Sequence, residues 1–111
     1  MGKEAKITGN EGEERAVVYL IKHGYEIVER NFYAKFGEID IIAKKDGTIH
    51  FFEVKTSSRY EPIFAITPAK MQKIYKAIEY YLMKNNITLP YQVDAILVKN
   101  SQIELVENIS I

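Results

Sequence analysis

The chain's 111 residues suffice for one domain around one hydrophobic core, and 47% hydrophobic with 27% charged residues excludes a disordered chain. No apolar run approaches the roughly 18 residues that a membrane span requires, and the absence of cysteine excludes disulfides, thiolate metal sites and cysteine nucleophiles. Lys plus Arg (15) balances Asp plus Glu (15), so any contact with nucleic acid must rest on local rather than global positive charge.

The amino terminus, MGKEAKITGNEGEER, is too polar for a secretory signal, and a cytoplasmic protein is expected. No repeat, low-complexity tract or linker-like stretch divides the chain, which reads as a single domain over residues 1–111. From Glu11 to His23, Ala16, Val17, Leu20 and Ile21 form the stripe of an amphipathic helix, with Asn10 as N-cap and Gly24 as the residue ending it. Tyr25 to Asn31 reads as a first strand. Glu38 to Lys44 (EIDIIAK) and Thr48 to Lys55 (TIHFFEVK) are two β-rich runs around an Asp46-Gly47 turn. Pro68 to Asn86 is the clearest helix, with Met71, Ile74, Ile78, Tyr81 and Leu82 on one side and Lys70, Lys73 and Lys84 roughly opposite. Tyr91 to Lys99 and Gln102 to Glu107 close the chain as two strands turned at Asn100-Ser101. The order αβββαββ, with a strand–helix–strand step that favours a parallel crossover, predicts a mixed sheet flanked by helices, in the α/β or α+β class.

The Asp46-Gly47 pair predicts a two-residue type I′ hairpin, which fixes the pairing. Ile42 then faces Phe51, Ile41 faces Phe52, Asp40 faces Glu53 and Glu38 faces Lys55. Strand alternation places Glu38, Asp40, Glu53 and Lys55 on one face with Ile42, Ile49 and Phe51. Ile39, Ile41, Phe52 and Val54 lie on the other. Both faces carry apolar residues, so both are expected to be covered. Opposed carboxylates repel, and charges on a covered face are costly unless paired or metal-bound. A cation between Asp40 and Glu53 resolves the conflict, and oxygen-only ligands suit Mg²⁺ or Mn²⁺. Such an ion activates water and stabilises charge on a phosphodiester, with Lys55 placed to orient or deprotonate the water or to neutralise the phosphorane. The plainer alternative is a solvated face with a Glu38–Lys55 ion pair worth under about 1 kcal/mol.

Glu13 falls near the centre of the first helix's apolar stripe. Two readings share that geometry: a further metal or water ligand reaching the hairpin, or the N3 member of a capping box with Asn10. His23 sits at a helix C-terminus, where dipole interaction or solvation suffices. His50 alternates away from the acidic face and is not expected to act as a base. Arg59, Lys70 and Lys73 are candidate nucleic-acid contacts, against the plainer reading of a polar loop and a solvated helix face. Eight tyrosines offer stacking surfaces for bases, although Tyr75, Tyr80 and Tyr81 fit helix packing more simply. Asp94, inside the apolar YQVDAILV, is expected to be buried against a lysine such as Lys70 or Lys55.

Gly12, Glu13, Ala16, Tyr19 and Leu20, then Arg30-Asn31, Gly37 to Ala43 (GEIDIIA) and Phe51 to Lys55 (FFEVK) resemble the YraN family of bacterial proteins. Lys70, Ala77 to Leu82 and Val93-Asp94 extend the likeness over nearly the whole chain. The family is placed in the restriction-endonuclease-like, PD-(D/E)XK superfamily. The resemblance implies that fold in its three-layer form, with Asp40 as the motif's first acid, Glu53 as its second and Lys55 as its lysine. Ile39 stands where the superfamily name has proline. Glu13 matches the helical glutamate also found in archaeal Holliday-junction resolvases, relatives that bind Mg²⁺ and cut branched DNA as dimers.

Together these readings predict a metal-dependent endonuclease acting on DNA, with branched DNA and a homodimer among its expected properties. Asp40, Glu53 and Glu13 would serve Mg²⁺ or Mn²⁺, and Lys55 the nucleophile. The alternative is a non-catalytic nucleic-acid-binding or protein-interaction module that retains the fold.

Overall fold

The computed structural model describes residues 9–56, 66–100 and 102–109. Seven elements follow in the expected order: α1 (Gly9–Lys22), β1 (Glu26–Ala34), β2 (Gly37–Lys45), β3 (Thr48–Thr56), α2 (Pro68–Lys84), β4 (Tyr91–Val98) and β5 (Ile103–Val106). The strands form one sheet in the order β1-β2-β3-β4-β5. β3 and β4 run parallel, joined through α2, and the remaining neighbours are antiparallel. No described helix is long and apolar enough to cross a membrane.

Local chemistry explains the helix ends. Thr67 caps α2, its hydroxyl accepting from Lys70 N–H at 3.2 Å, and Pro68 begins the helix where no N–H is needed. α1 ends at Gly24 (φ +90°), with Tyr25 N–H reaching back to the Leu20 carbonyl at 3.0 Å. α2 ends the same way at Asn86 (φ +53°), with Ile87 N–H on the Leu82 carbonyl. At the other end of α1 the expectation fails: Asn10 lies inside the helix rather than capping it.

The two helices cover opposite faces of the sheet. Phe32, Ile39, Ile42, Ile49, Phe51 and Val93 pack under Met71, Ile74, Ala77, Ile78 and Tyr81 of α2. Tyr25, Ile41, Ala43, Phe52, Ile96 and Val98 pack under Ala16 and Leu20 of α1. Phe51 and Phe52 thus fall on opposite sides, as strand alternation requires. Ile39 does not follow the expected alternation, since it shares Ile42's face rather than Ile41's. Asn31, with φ +53°, lies in β1 between the rungs Arg30–Ile41 and Phe32–Ile39, at the level of Asp40. Asn tolerates this positive φ, and the pairing register itself shifts only earlier in β1, between Ile27 and Glu29.

One close approach sets α2 on the sheet. A β-carbon at Gly37 would lie 2.6 Å from the Lys73 carbonyl oxygen, so only glycine lets the helix backbone come this near to β2. Gly37→Ala is therefore expected to push α2 outward, at a cost of about 1–3 kcal/mol. A melting temperature equal to the parent's would show that the helix has room to spare.

Candidate active site

The Asp46-Gly47 turn forms as the sequence predicts, with φ of +51° and +78°, and it sets the pairs Ile42–Phe51 and Ile41–Phe52. Beyond that rung the strands part. β2 stays paired with β1 as far as Gly37, while β3 stays paired with β4 as far as Thr56. The expected Asp40–Glu53 and Glu38–Lys55 rungs do not form, and no Glu38–Lys55 ion pair exists among the described residues. A fork opens in the sheet instead.

Asp40 stands in this fork. Its Oδ2 accepts the Val54 N–H at 2.8 Å, satisfying a backbone donor that the parting strands would otherwise orphan. Among the described residues Oδ1 has no partner. Burial pushes the Asp40 carboxyl up from 3.8 to about 7, and the negative charges of Glu53, Glu38 and Glu13 add to the effect while the Val54 bond opposes it. Carboxylates from β3, β2 and α1 therefore all act on Asp40.

Glu53 is buried, and its Oε2 lies 2.6 Å from Lys70 Nζ at the first turn of α2. This bond raises the Lys70 pKa above the usual lysine value; partial burial opposes the rise, and the charges of Glu53, Asp40 and Glu38 assist it. Glu13 points inward from α1 with its side chain only 12% exposed. Its Oε1 accepts from Arg30 Nη2 at 2.8 Å, Arg30 Nε at 3.2 Å and Asn31 Nδ2 at 3.0 Å. Arg30 Nη1 also donates to Glu14 at 2.9 Å. The capping-box reading of Glu13 thus gives way to a tie between α1 and β1. Lys55 is half-buried, two residues past Glu53 on the same strand.

Asp40, Glu53 and Glu13 come from three elements and meet electrostatically at the fork. Each of the two glutamates already has a cationic partner, and no three acidic or histidine side chains among the described residues form a ready-made metal cage. The donor set is nonetheless all oxygen, and desolvation together with the neighbouring carboxylates makes Asp40's charge costly without a cation. That chemistry fits a hard divalent cation.

The Uncharacterised protein family UPF0102, the YraN family, has a model that matches residues 12–98 of the chain. The chain belongs to this family. A UPF0102 protein from Nitratiruptor sp. is 50% identical over 111 residues, spanning 100% of this chain and 99% of the relative. A second, from Helicobacter hepaticus, is 50% identical over 103 residues, spanning 93% and 94%. Among solved structures, the fold matches Hjc, a Holliday junction resolvase from the hyperthermophilic archaeon Archaeoglobus fulgidus. The TM-score is 0.62 at 16% identity, over 89% of this chain and 76% of that one. This UPF0102 chain therefore has the restriction-endonuclease-like fold.

The other residues singled out in the sequence fall as follows. Lys70, read as a nucleic-acid contact, sits inside the carboxylate cluster. Lys73 is exposed and lines a hollow beside Gly37 and Glu38. Arg59 lies outside the described residues. Asp94 is fully buried, but its partner is not a lysine: Oδ2 lies 2.7 Å from His50 Nδ1, and Oδ1 accepts from Gln92 Nε2 and Asn108 N–H. His50 is buried among Tyr25 and Phe52 on the α1 face, away from the fork. Arg30's grip on Glu13 escaped the residue-by-residue reading. The adjacent asparagine in a strand was the available signal, because Asn tolerates the left-handed backbone that aims the two side chains at α1.

Proposed function

We propose that this protein is a metal-dependent endonuclease that hydrolyses phosphodiester bonds in DNA. The observation that carries the reading is Asp40: a part-buried carboxyl with one oxygen unpartnered among the described residues, held at the fork beside Glu53 and raised to about 7 by desolvation and like charge. Strongly perturbed carboxyls of this kind gather at functional sites. Asp40 and Glu53 would hold Mg²⁺ or Mn²⁺, and Glu13, kept in place by Arg30 and Asn31, would support them directly or through water. When bound, the ion would supply positive charge to the scissile phosphate and lower the pKa of water. Lys55 positions the nucleophile. The fold shared with a protein named as a Holliday junction resolvase makes branched DNA the first substrate class to test, and pairing of two copies the assembly to look for.

A second reading draws on the pairing of Glu53 with Lys70 and of Glu13 with Arg30, which neutralises two of the acids without metal. In that reading the protein is a non-catalytic nucleic-acid-binding or protein-interaction module. The two readings separate in one experiment. Labelled single-stranded, duplex, flap and four-way-junction DNA are incubated with parent, Glu53→Ala and Lys55→Ala proteins in Mg²⁺, Mn²⁺ or EDTA. A nuclease cuts only with metal, and each variant loses about 10³-fold in rate while still binding DNA. Absence of cleavage on every substrate, together with no metal uptake by calorimetry, selects the module.

A further inference from the structure

The most conspicuous surface feature away from the fork is a groove of about 810 Å³ between the β1–β2 hairpin tip and the outer side of α2. It exposes large apolar side chains: Tyr33 is 70% exposed, Phe36 55%, Tyr80 44% and Met83 68%. Lysines interleave with the rings. Lys35 and Lys76 hold their ammonium groups 5.3 Å and 5.0 Å from the Phe36 ring centre. Lys84 lies 6.0 Å from both Phe32 and Tyr80. Tyr80 is supported from beneath by stacking on Phe32. Among the described residues, Glu79 is the single acid lining the groove.

We infer that this groove binds an unpaired, single-stranded segment of nucleic acid, its bases stacked on Phe36 and Tyr80 and its phosphates met by Lys35, Lys76 and Lys84. The inference rests on the nuclease reading above and names its substrate class: DNA with a single-stranded stretch beside the cut. Exposed rings recognise only bases whose faces are free, and duplex stacking hides them. The lysines supply, in one place, the positive charge that a chain of formal net charge +0 lacks as a whole. A second copy is the poorer fit, because a two-fold contact would bury the lysines of both copies against a lining whose one acid among the described residues is Glu79. The groove lies next to a second hollow on the side of the site. Phe36 and Lys76 line the groove, while the neighbouring Gly37 and Lys73 line this smaller hollow, which continues to Lys70, the partner of Glu53.

The test is binding without cleavage. In EDTA, fluorescence anisotropy is measured with labelled oligothymidylate and with a duplex of the same length, for parent, Phe36→Ala/Tyr80→Ala and Lys76→Glu proteins. The parent should prefer the single strand at least tenfold. The aromatic double variant should lose about 10- to 100-fold on the single strand and less than twofold on the duplex. Circular dichroism checks folding. If the double variant does not fold, Lys76→Glu and quenching of tyrosine emission by oligothymidylate carry the test. Undiminished oligothymidylate binding by the aromatic variant overturns the inference, as does a parent that prefers duplex. Light scattering that shows a dimer split by the same substitutions reassigns the patch to self-association. Loss of single-strand binding in the variants, in a protein that cuts nothing, leaves the groove standing and removes the nuclease.

Discussion

Asp40→Asn is expected to raise the melting temperature by about 10 °C at pH 8, to lower it by several degrees at pH 4, where no ionisation penalty offsets the amide's own desolvation, and to abolish both cleavage and stabilisation by Mg²⁺. The pH dependence follows from the direction of the shift. Asp40's pKa rises on folding from 3.8 to about 7, so between these values the folded chain holds a proton that the unfolded chain has released. Stability therefore falls as pH climbs through that window. The penalty is absent below 3.8 and complete above about 7. A shift of this size corresponds to about 4 kcal/mol, of which a buried amide should recover roughly half, since it too must be desolvated. Asparagine can still accept the Val54 N–H through its carbonyl oxygen, so the fork need not collapse. At about 4–8 °C per kcal/mol for a domain of this size, the gain is readily seen by differential scanning fluorimetry across pH. A cation bound only to the folded state should raise the parent's melting temperature at pH 8 and leave the variant's unchanged. A variant no more stable than the parent at pH 8 would refute the burial account of Asp40. Equal stabilisation of both proteins by Mg²⁺ would place the cation elsewhere.

The unfavourable ionisation of Asp40 also explains why part of the site was legible in the sequence. An acid that weakens the fold must sit where the local pattern cannot hide it. The Asp-Gly turn fixed the hairpin register, and the register set Asp40 and Glu53 on facing strands. Beyond the Ile41–Phe52 rung, extrapolation failed because it assumed an unbroken ladder. The ladder ends because β2 stays with β1 to Gly37 while β3 stays with β4 to Thr56. Neither is visible from the hairpin alone. Asp94 failed for a similar reason. Its nearest base is His50, one strand over, in a parallel register that places His50 opposite Gln92 and is set by the β3–α2–β4 crossover rather than by local spacing. Lys70 could be placed on α2 from periodicity, but its reach to Glu53 depends on the helix backbone settling onto Gly37. The core was more legible than the site, because burial follows the helix and strand periods, whereas ion pairs depend on how separate elements meet.

Lys70 is the sharpest test of that meeting, because its ammonium occupies the carboxylate that the proposed cation would share. Glu53's side chain is 7% exposed and Lys70's is 45% exposed, so the pair is half in solvent from the lysine side. Removing one partner of a fully buried pair costs about 3–5 kcal/mol; screening at Lys70 brings the expected loss for Lys70→Met nearer to 2 kcal/mol. The melting temperature should fall by about 10 °C in EDTA. Two opposite consequences then separate the roles open to this lysine. If ammonium and cation compete for Glu53, the variant should bind Mn²⁺ about tenfold more tightly by calorimetry, and millimolar Mn²⁺ should restore most of the lost stability. If Lys70 instead holds Glu53 in the orientation that the cation needs, Mn²⁺ affinity should fall with stability, and added metal should rescue neither. Competition is the expected result. The charges of Asp40, Glu53 and Glu38 all draw on Lys70, so its ammonium answers the same negative charge that the cation would. Weaker Mn²⁺ binding by the variant would make Lys70 part of the proposed metal site's own architecture.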